Sequence, residues 1–240
     1  MIPVAGGVAT FAEPGSPYNK VVGLGFGALP DTAALDEVEQ AFAEHGAAVS
    51  AEVAHLADPA LIDVLTERGY RLASFENVLG RRTALLPQEA ATPAEIEVRP
   101  SGPDEVDVWI ELVTDAAMHP DTQGIAMDEF PRDVLERAER DSTALEGIRR
   151  YVALRHGEPA GGAGFRAAEG IAQLTGAATA PAHRRHGVQT ALIAARLADA
   201  AAAGCELAVV TTQPGSTSQQ NMQRRGFDLQ YTRAVLVKEV

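Results

Sequence analysis

The chain has 240 residues, 46% of them hydrophobic, which is enough for one large domain or two small ones with a buried core. Its formal net charge of −13 disfavours nonspecific binding to nucleic acid or to an anionic membrane surface. No run of 18 apolar residues occurs, and the opening MIPVAGGVATFAEPG lacks the basic start and apolar core of a signal peptide. We therefore expect a cytoplasmic protein with no nucleic-acid or membrane partner.

The first part of the chain predicts alternating strands and helices after an irregular start. Residues 1–18 contain glycines and prolines without periodicity, and we expect no regular element there. Asp31 and Thr32 form a cap signal before a helix that Gly46 ends. In this part, strands are predicted at 20–26, 48–54 and 70–86, and helices at 33–44 and 58–69.

The second part follows a predicted linker. Residues 87–95, PQEAATPAE, hold two prolines and little apolar content. Beyond them, strands are predicted at 96–98, 151–155, 161–166, in a run ending at Pro181, at 207–212 and at 230–237. Helices are predicted at 103–118, at 128–141, from about Val188 and at 216–225, with a polar loop at 119–127.

The two parts resemble each other in sequence. LTERGYRLASFENVL aligns with NMQRRGFDLQYTRAVL, so that Gly69 lies opposite Gly226, and the same offset places Glu52 on Val209 without a gap. We interpret the parts as two copies of a strand-helix-strand-helix-strand unit. The alternative is that unrelated α/β segments share a glycine–aromatic turn.

The stretch from Arg184 to Gln189, between a predicted strand and helix, combines several features of an anion site. Unpaired backbone N–H groups at a helix start meet the positive end of the helix dipole, and Gly187 allows an anion to approach the backbone. The arginines at 184 and 185 add donors suited to phosphate. A diphosphate is the expected ligand, and a solvated helix start without a ligand is the alternative. A P-loop is excluded because no lysine follows these glycines.

The surrounding segment PAHRRHGVQTALIAARL resembles the coenzyme A loop of GNAT superfamily N-acetyltransferases. That loop begins with Arg or Gln, has Gly at the fourth position and Gly or Ala at the sixth. Arg184 and Gly187 match, whereas Gln189 occupies the sixth position. The order of predicted elements over 96–240 resembles the family as well.

The resemblance implies an α/β (α+β) fold with two GNAT-like domains. Residues 1–86 would form a partial domain without a cofactor loop, and residues 96–240 would form the domain that binds acetyl-CoA. The sheet would be mixed and mostly antiparallel, with a parallel, splayed strand pair at the cofactor site.

The resemblance also implies acetyl-CoA as the acyl donor, without a metal ion. The diphosphate would lie on the backbone amides of the loop, and the pantetheine arm would run along the preceding strand. Ser216 is equally well explained as a helix cap. The residues that would contact the coenzyme are Ala177, Ala178, Thr179, Arg184, Arg185, His186, Gly187, Val188, Gln189, Thr190, Ser216, Ser218 and Asn221.

The catalytic residues remain unassigned at this level. Many family members have a Tyr four residues before the glycine–aromatic pair, where Met222 stands, and others a Glu in the strand before the loop, where Gln173 stands. By the resemblance, the acceptor enters between the loop 119–127 and the last strand. His119, Asp121 and Tyr231 are candidates there, each with an ordinary surface or packing explanation.

The sequence thus predicts transfer of an acetyl or short acyl group from a coenzyme A thioester to a primary amine of a small molecule or peptide. The alternative is a noncatalytic sensor or scaffold module that binds acetyl-CoA. A nicotinamide oxidoreductase is a third hypothesis, because residues 23–28, GLGFGA, precede a helix and Glu52 ends the next strand. That helix starts too late for the dinucleotide fingerprint. The acceptor and the oligomeric state stay open, with a homodimer among the options.

Overall fold

A computed structural model describes residues 1–84, 93–120 and 130–239. Its contacts divide the chain into two compact units. The first consists of Met1–Val78, Thr211–Gly215 and Leu229–Val240, and the second of Leu79–Val210 and Ser216–Asp228. Among the described residues, no helix is both long and apolar enough to cross a membrane.

The first unit contains two helices and a mixed sheet. Its strands follow the order β1-β2-β3-β4-β11-β5, in which β3 and β4 are parallel and the pairs β1–β2, β2–β3 and β4–β11 are antiparallel. Its elements are β1 (Ile2–Val4), β2 (Gly7–Thr10), β3 (Lys20–Leu24), α1 (Thr32–Ala43), β4 (Val49–Ala54), α2 (Ala60–Glu67), the first part of β5 (Arg71–Arg82) and most of β11 (Asp228–Lys238).

The helix α1 forms as predicted and for the predicted reason. Asp31 is its N-cap, and the Asp31 carboxylate accepts a hydrogen bond from the Ala34 amide at 2.7 Å. Leu35, Val38 and Phe42 recur at helical spacing and are buried in the apolar cluster of this unit.

The prediction that residues 1–18 contain no regular element was wrong for residues 2–10 and confirmed for residues 11–18. β1 and β2 form a hairpin in which Val4 pairs with Gly7, and the two residues between them, Ala5 and Gly6, have φ angles of 49° and 83°. Positive φ at both positions is typical of a tight hairpin turn, for which Asn-Gly is the usual sequence signal. The short strands and the Ala-Gly pair explain why the pattern escaped sequence reasoning.

The described part of the second unit contains four α-helices and a mixed sheet. Its strand order is β5-β10-β9-β8-β7-β6. β9 and β10 are parallel, whereas the pairs β6–β7, β7–β8 and β8–β9 are antiparallel. Besides the end of β5, its elements are β6 (Ile96–Pro100), α3 (Val106–Met118) after a short 3₁₀ turn, α4 (Arg132–Thr143), β7 (Ile148–Arg155), β8 (Glu158–Ala168), β9 (Ile171–Thr179), α5 (Val188–Ala202), β10 (Leu207–Thr212) and α6 (Thr217–Arg224). The polar loop predicted at 119–127 lies almost entirely outside the described residues.

Two adjacent glycines of β8 allow helices to approach both faces of this sheet. A methyl group at Gly161 would lie 2.9 Å from Val188 Cγ1 of α5, and one at Gly162 would lie 2.7 Å from Val113 Cγ1 of α3. Because consecutive strand residues point to opposite faces, α5 and α3 cover opposite sides of β8. The layers are therefore helix, sheet, helix within this unit.

The residue boundaries of the two compact units differ from those of the predicted segments 1–86 and 96–240. β11, from the end of the chain, pairs with β4 in the first unit, with Leu236 opposite Ala51. In the second unit, the Thr83 amide after β5 donates to the Glu206 carbonyl at 3.1 Å. Each unit is thus completed by a strand from the other sequence segment, which a repeat read from the sequence does not reveal.

The glycine at 162 provides a test of this packing. Gly162→Ala places a methyl 2.7 Å from Val113 Cγ1 and 2.9 Å from Trp109 Nε1, so we expect a loss of about 1–3 kcal/mol in the free energy of unfolding by urea. Gly102→Ala is the matched control, since its methyl would meet only Glu105 Oε2 at 3.8 Å. Equal stability of the two variants would show that β8 does not require the close approach of α3.

Candidate acyl-transfer site

The parallel strands β9 and β10 pair only along their first residues. The ladder joins Ile171–Gln173 to Leu207–Val209, and β9 then continues to Thr179 without a partner on that side. This is the parallel pair that was predicted at the cofactor site. It leaves one edge of β9 available over residues 174–179 in the described structure.

β9 carries a β-bulge in this same region. Gly162 of β8 pairs with Ala178, and Gly164 pairs with Thr175, so residues 176–177 of β9 lie opposite a single residue of β8. Gly176 in the bulge has a φ of 53°, a conformation that glycine adopts without steric cost. A bulge leaves a backbone group out of the ladder, and an amide of that kind can serve as a hydrogen-bond donor to a ligand.

Arg196 of α5 supports the bulge from the side of the sheet that α5 covers. Its Nη1 donates to the Gly164 carbonyl at 3.1 Å and to the Thr175 carbonyl at 3.4 Å, and its Nε donates to Leu192 at 3.1 Å. The side chain is fully buried, and this burial lowers the pKa of Arg196 to about 10. The guanidinium therefore joins α5 to the two carbonyls that flank the bulge.

The loop after β9 has an unusual backbone. A 3₁₀ turn, Pro181–His183, precedes Arg184, which is extended, and Arg185, which has a φ of 65°. A left-handed conformation is costly for a residue with a side chain, so it persists only where the surroundings impose it. Gly187 then caps α5 with a φ of 87°.

The N-terminus of α5 has no side-chain cap. The first helical hydrogen bond runs from the Ala191 amide to the Gly187 carbonyl, so the N–H groups of Val188, Gln189 and Thr190 have no acceptor in the helix. With the positive end of the helix dipole, they form the donor set of an anion site.

At the N-termini of α1 and α6, unlike that of α5, a side chain accepts a hydrogen bond from a backbone amide of the first turn. The Asp31 carboxylate caps α1, and Ser216 Oγ caps α6 by accepting from the Gln219 amide at 3.1 Å. The cap explanation of Ser216 is therefore confirmed. An anion would be repelled by Asp31, so the start of α1 does not suit an anion.

Arg184 is engaged in the loop rather than directed to a ligand. Its guanidinium donates to the carbonyls of Thr179 at 3.3 Å and Ala116 at 3.4 Å, and also to that of His119. The last two carbonyls belong to the C-terminal end of α3, where the helix dipole favours a cation. Arg184 thus holds the loop to α3, whereas Arg185 and His186 have exposed side chains.

The glycine at 187 is required by its own backbone and packing. Its φ is left-handed, and a methyl group there would lie 3.3 Å from Pro93 Cγ and 3.8 Å from Ile96 Cδ1. Close approach of an anion to this glycine stays a prediction.

The remaining predicted coenzyme contacts lie on β9 and α6. Ala177 is exposed, and Ala178 packs partly against the cluster of Trp109, Ile110 and Val113. Asn221 Nδ2 donates to Gln189 Oε1, which joins α6 to the first turn of α5. Ser218 is exposed on α6.

The catalytic candidates are not brought together by the described residues. His119 is exposed and its Nδ1 lies 2.9 Å from the Asp115 carbonyl, whereas Asp121 lies outside the described residues. Tyr231 belongs to the first unit, where its ring packs edge-on against Phe26 with centroids 5.3 Å apart. Met222 is buried in the core of the second unit.

Sequence reasoning missed one ionisable group near the bulge. Glu139 of α4 is only partly exposed, and its Oε2 lies 3.5 Å from the position of a methyl group on Gly176. Burial raises the pKa of Glu139, opposed by its hydrogen bond with Ser142. In the sequence it is one of several charges on a polar helix, so only the fold distinguishes it.

Comparison with known proteins agrees with this geometry. The family described as "Acetyltransferase (GNAT) family" matches residues 117–227, which include α4, the bulge, the loop and α5. This match supports acyl transfer from coenzyme A in general. None of the curated proteins matches the chain.

Solved structures extend the GNAT fold to most of the chain. A GCN5-related N-acetyltransferase from Kribbella flavida is 23% identical with a TM-score of 0.66, over 91% of this chain and 80% of that one. A tandem GNAT protein from the clavulanic acid biosynthesis pathway is 14% identical with a TM-score of 0.66, over 92% and 74%. A GCN5-related N-acetyltransferase from Sphaerobacter thermophilus is 16% identical with a TM-score of 0.61, over 86% and 64%. At these identities the likeness is one of fold, and it confirms the predicted mixed α/β class.

The two loop arginines are expected to differ in their effect on stability. Arg184→Met removes the donors to the end of α3, so we expect a loss of about 1–3 kcal/mol in the free energy of unfolding and faster amide exchange in residues 180–190. Arg185→Met removes an exposed side chain and is expected to change stability by about 0.5 kcal/mol or less. If Arg184→Met were as stable as the Arg185 variant, Arg184 would not hold the loop.

Proposed function

We propose that the second unit transfers an acetyl or short acyl group from a coenzyme A thioester to a primary amine of a small molecule or peptide. The observation that carries the proposal is the uncapped N-terminus of α5, which follows the free edge of β9 within the segment that matches the GNAT family. The donor set suits a diphosphate, and the strand edge suits an extended amide-containing arm.

In this proposal, the diphosphate lies on the amides of residues 185–190 and the pantetheine arm pairs with residues 177–179. Arg185 and His186, both exposed beside the helix start, supply further donors to phosphate. Arg184 contributes by fixing the loop against α3. Ser218 and Asn221 lie on α6, which Asn221 joins to Gln189.

The bulge places a backbone donor where the thioester would end. A pantetheine arm that runs along 177–179 toward the start of β9 brings its acyl carbonyl to residues 176–177. An amide there that is free of the ladder can stabilise the negative charge that develops on the carbonyl oxygen. Arg196 keeps this donor in position by holding the flanking carbonyls.

Gln189 offers a test that separates coenzyme binding from folding. Gln189→Glu keeps the size of the side chain but adds a negative charge at the start of α5, so we expect the Kd for acetyl-CoA measured by calorimetry to rise about tenfold or more. The melting temperature should not fall, because a carboxylate at a helix N-terminus is favourable.

The control is Gln223→Glu, which adds the same charge at an exposed position near the end of α6. This variant should bind acetyl-CoA as the wild type does. An unchanged Kd in Gln189→Glu would contradict a diphosphate at the start of α5.

A second candidate function is a noncatalytic module that binds acetyl-CoA as a sensor or scaffold. The buried Met222 and the exposed Gln173 favour it, because neither a thioether nor an amide can transfer a proton at these positions. Thiol release with a panel of primary amines separates the two. Tight binding of acetyl-CoA without turnover of a polyamine, an aminoglycoside, an amino acid or a peptide would favour the sensor.

A further inference from the structure

Glu139 occupies a position that its helix does not explain. It lies on the face of α4 toward β9, where a methyl group on Gly176 would be 3.5 Å from Glu139 Oε2 and 3.2 Å from the ring of Trp109. Trp109, the other side chain close to Gly176, is buried and apolar. A carboxylate therefore lies beside the bulge, next to an aromatic ring.

The charge of Glu139 is not compensated within the described residues. Ser142 Oγ lies 3.4 Å from Glu139 Oε2 and donates to the Glu139 carbonyl at 2.7 Å, but no cation pairs with the carboxylate in the described part of the chain. Two other acids of α4 are paired: Glu136 with Arg132 at 2.8 Å, and Asp133 with Arg137 at 2.9 Å. A partly desolvated carboxylate without a cation is unfavourable for stability, so packing does not account for it.

The charged groups on the elements around Glu139 have partners of their own. α3 and β7 pack against α4, and β9 contributes only uncharged side chains. Glu111 of α3 is exposed. On α3, Asp107 pairs with Arg140 and Asp115 pairs with Arg132. On β7, Arg149 lies above the ring of Phe165, and Arg150 donates to the Gly102 carbonyl.

We propose that Glu139 is the general base that takes the proton from the acceptor amine during acyl transfer. The proposal rests on the proposed function and extends it, because Gln173 and Met222 supply no proton acceptor. The carboxylate lies beside residues 176–177, where the acyl carbonyl would be held. It is partly exposed, so an amine can reach it.

The transfer balances with this single base. The amine nitrogen attacks the acyl carbon, a carbon–nitrogen bond forms and the carbon–sulfur bond breaks. The proton lost by the nitrogen passes to Glu139, and the departing thiolate takes up a proton from water. Glu139 returns its proton to water, so one amine and one thioester become one amide and one thiol.

Glu139→Gln tests the assignment without a change in size. With the amine of the panel that the wild type acetylates fastest, we expect kcat/KM to fall about 10²–10³-fold. The part of its rise with pH that comes from the Glu139 carboxylate should disappear, while the part that comes from deprotonation of the amine remains. The Kd for acetyl-CoA should match the wild type, and the melting temperature should not fall, because Gln removes an uncompensated charge. Glu136→Gln, whose carboxylate pairs with Arg132 in the same helix, is the control and should retain activity.

An arylamine acceptor adds a readout that a structural role of Glu139 would not change. Its adduct is acidic enough to lose the proton to water, so the defect of Glu139→Gln should shrink at least tenfold relative to that with an alkylamine. A defect of the same size with both amines, or wild-type activity and pH dependence in Glu139→Gln, would overturn the role of Glu139 and leave the proposed function standing. Absence of thiol release by the wild type with every amine would overturn both.

Discussion

The start of α5 is the constraint on which the rest of the second unit depends. A helix that begins with a glycine and has no side-chain cap leaves three amide donors without an acceptor, at the end of the helix where the dipole is positive. The surroundings hold this arrangement in place. Arg184 ties the loop to the end of α3, Pro93 packs against Gly187, and Arg196 joins the helix to the bulge of β9.

The first unit repeats several of these elements without the anion site. A hairpin, β1–β2, precedes β3, which pairs in parallel with β4 and has an irregular register between Val21 and Leu24. The hairpin β7–β8 and the parallel pair β9–β10 follow the same order in the second unit. We propose that the sequence segments 1–86 and 96–240 arose by duplication, and that Asp31 marks the copy that does not hold a diphosphate.

Local signals allowed much of the fold to be predicted from the sequence. The cap at Asp31, the bounds of β10 and the start of α5 at Val188 depend on neighbouring residues, and each was found. The hairpin at the N-terminus depends on positive φ at Ala5, which its residue type does not signal.

Properties that depend on distant residues could not be predicted in the same way. Arg184 was expected to bind an anion, but two of its three carbonyl partners lie more than 60 residues earlier in the chain, at the end of α3. Glu139 became a candidate only when the fold placed it against Gly176. The pairing of β11 with β4 in the first unit likewise joins residues that are far apart in the chain.

Amide hydrogen exchange with and without acetyl-CoA compares the two helix starts in one molecule, and it tests whether the diphosphate binds at the start of α5. We expect acetyl-CoA to slow exchange at Val188, Gln189 and Thr190, while exchange in the first turn of α1, which Asp31 caps, stays the same. Protection in the first turn of α1, or unchanged exchange at the start of α5 in the presence of saturating acetyl-CoA, would contradict it.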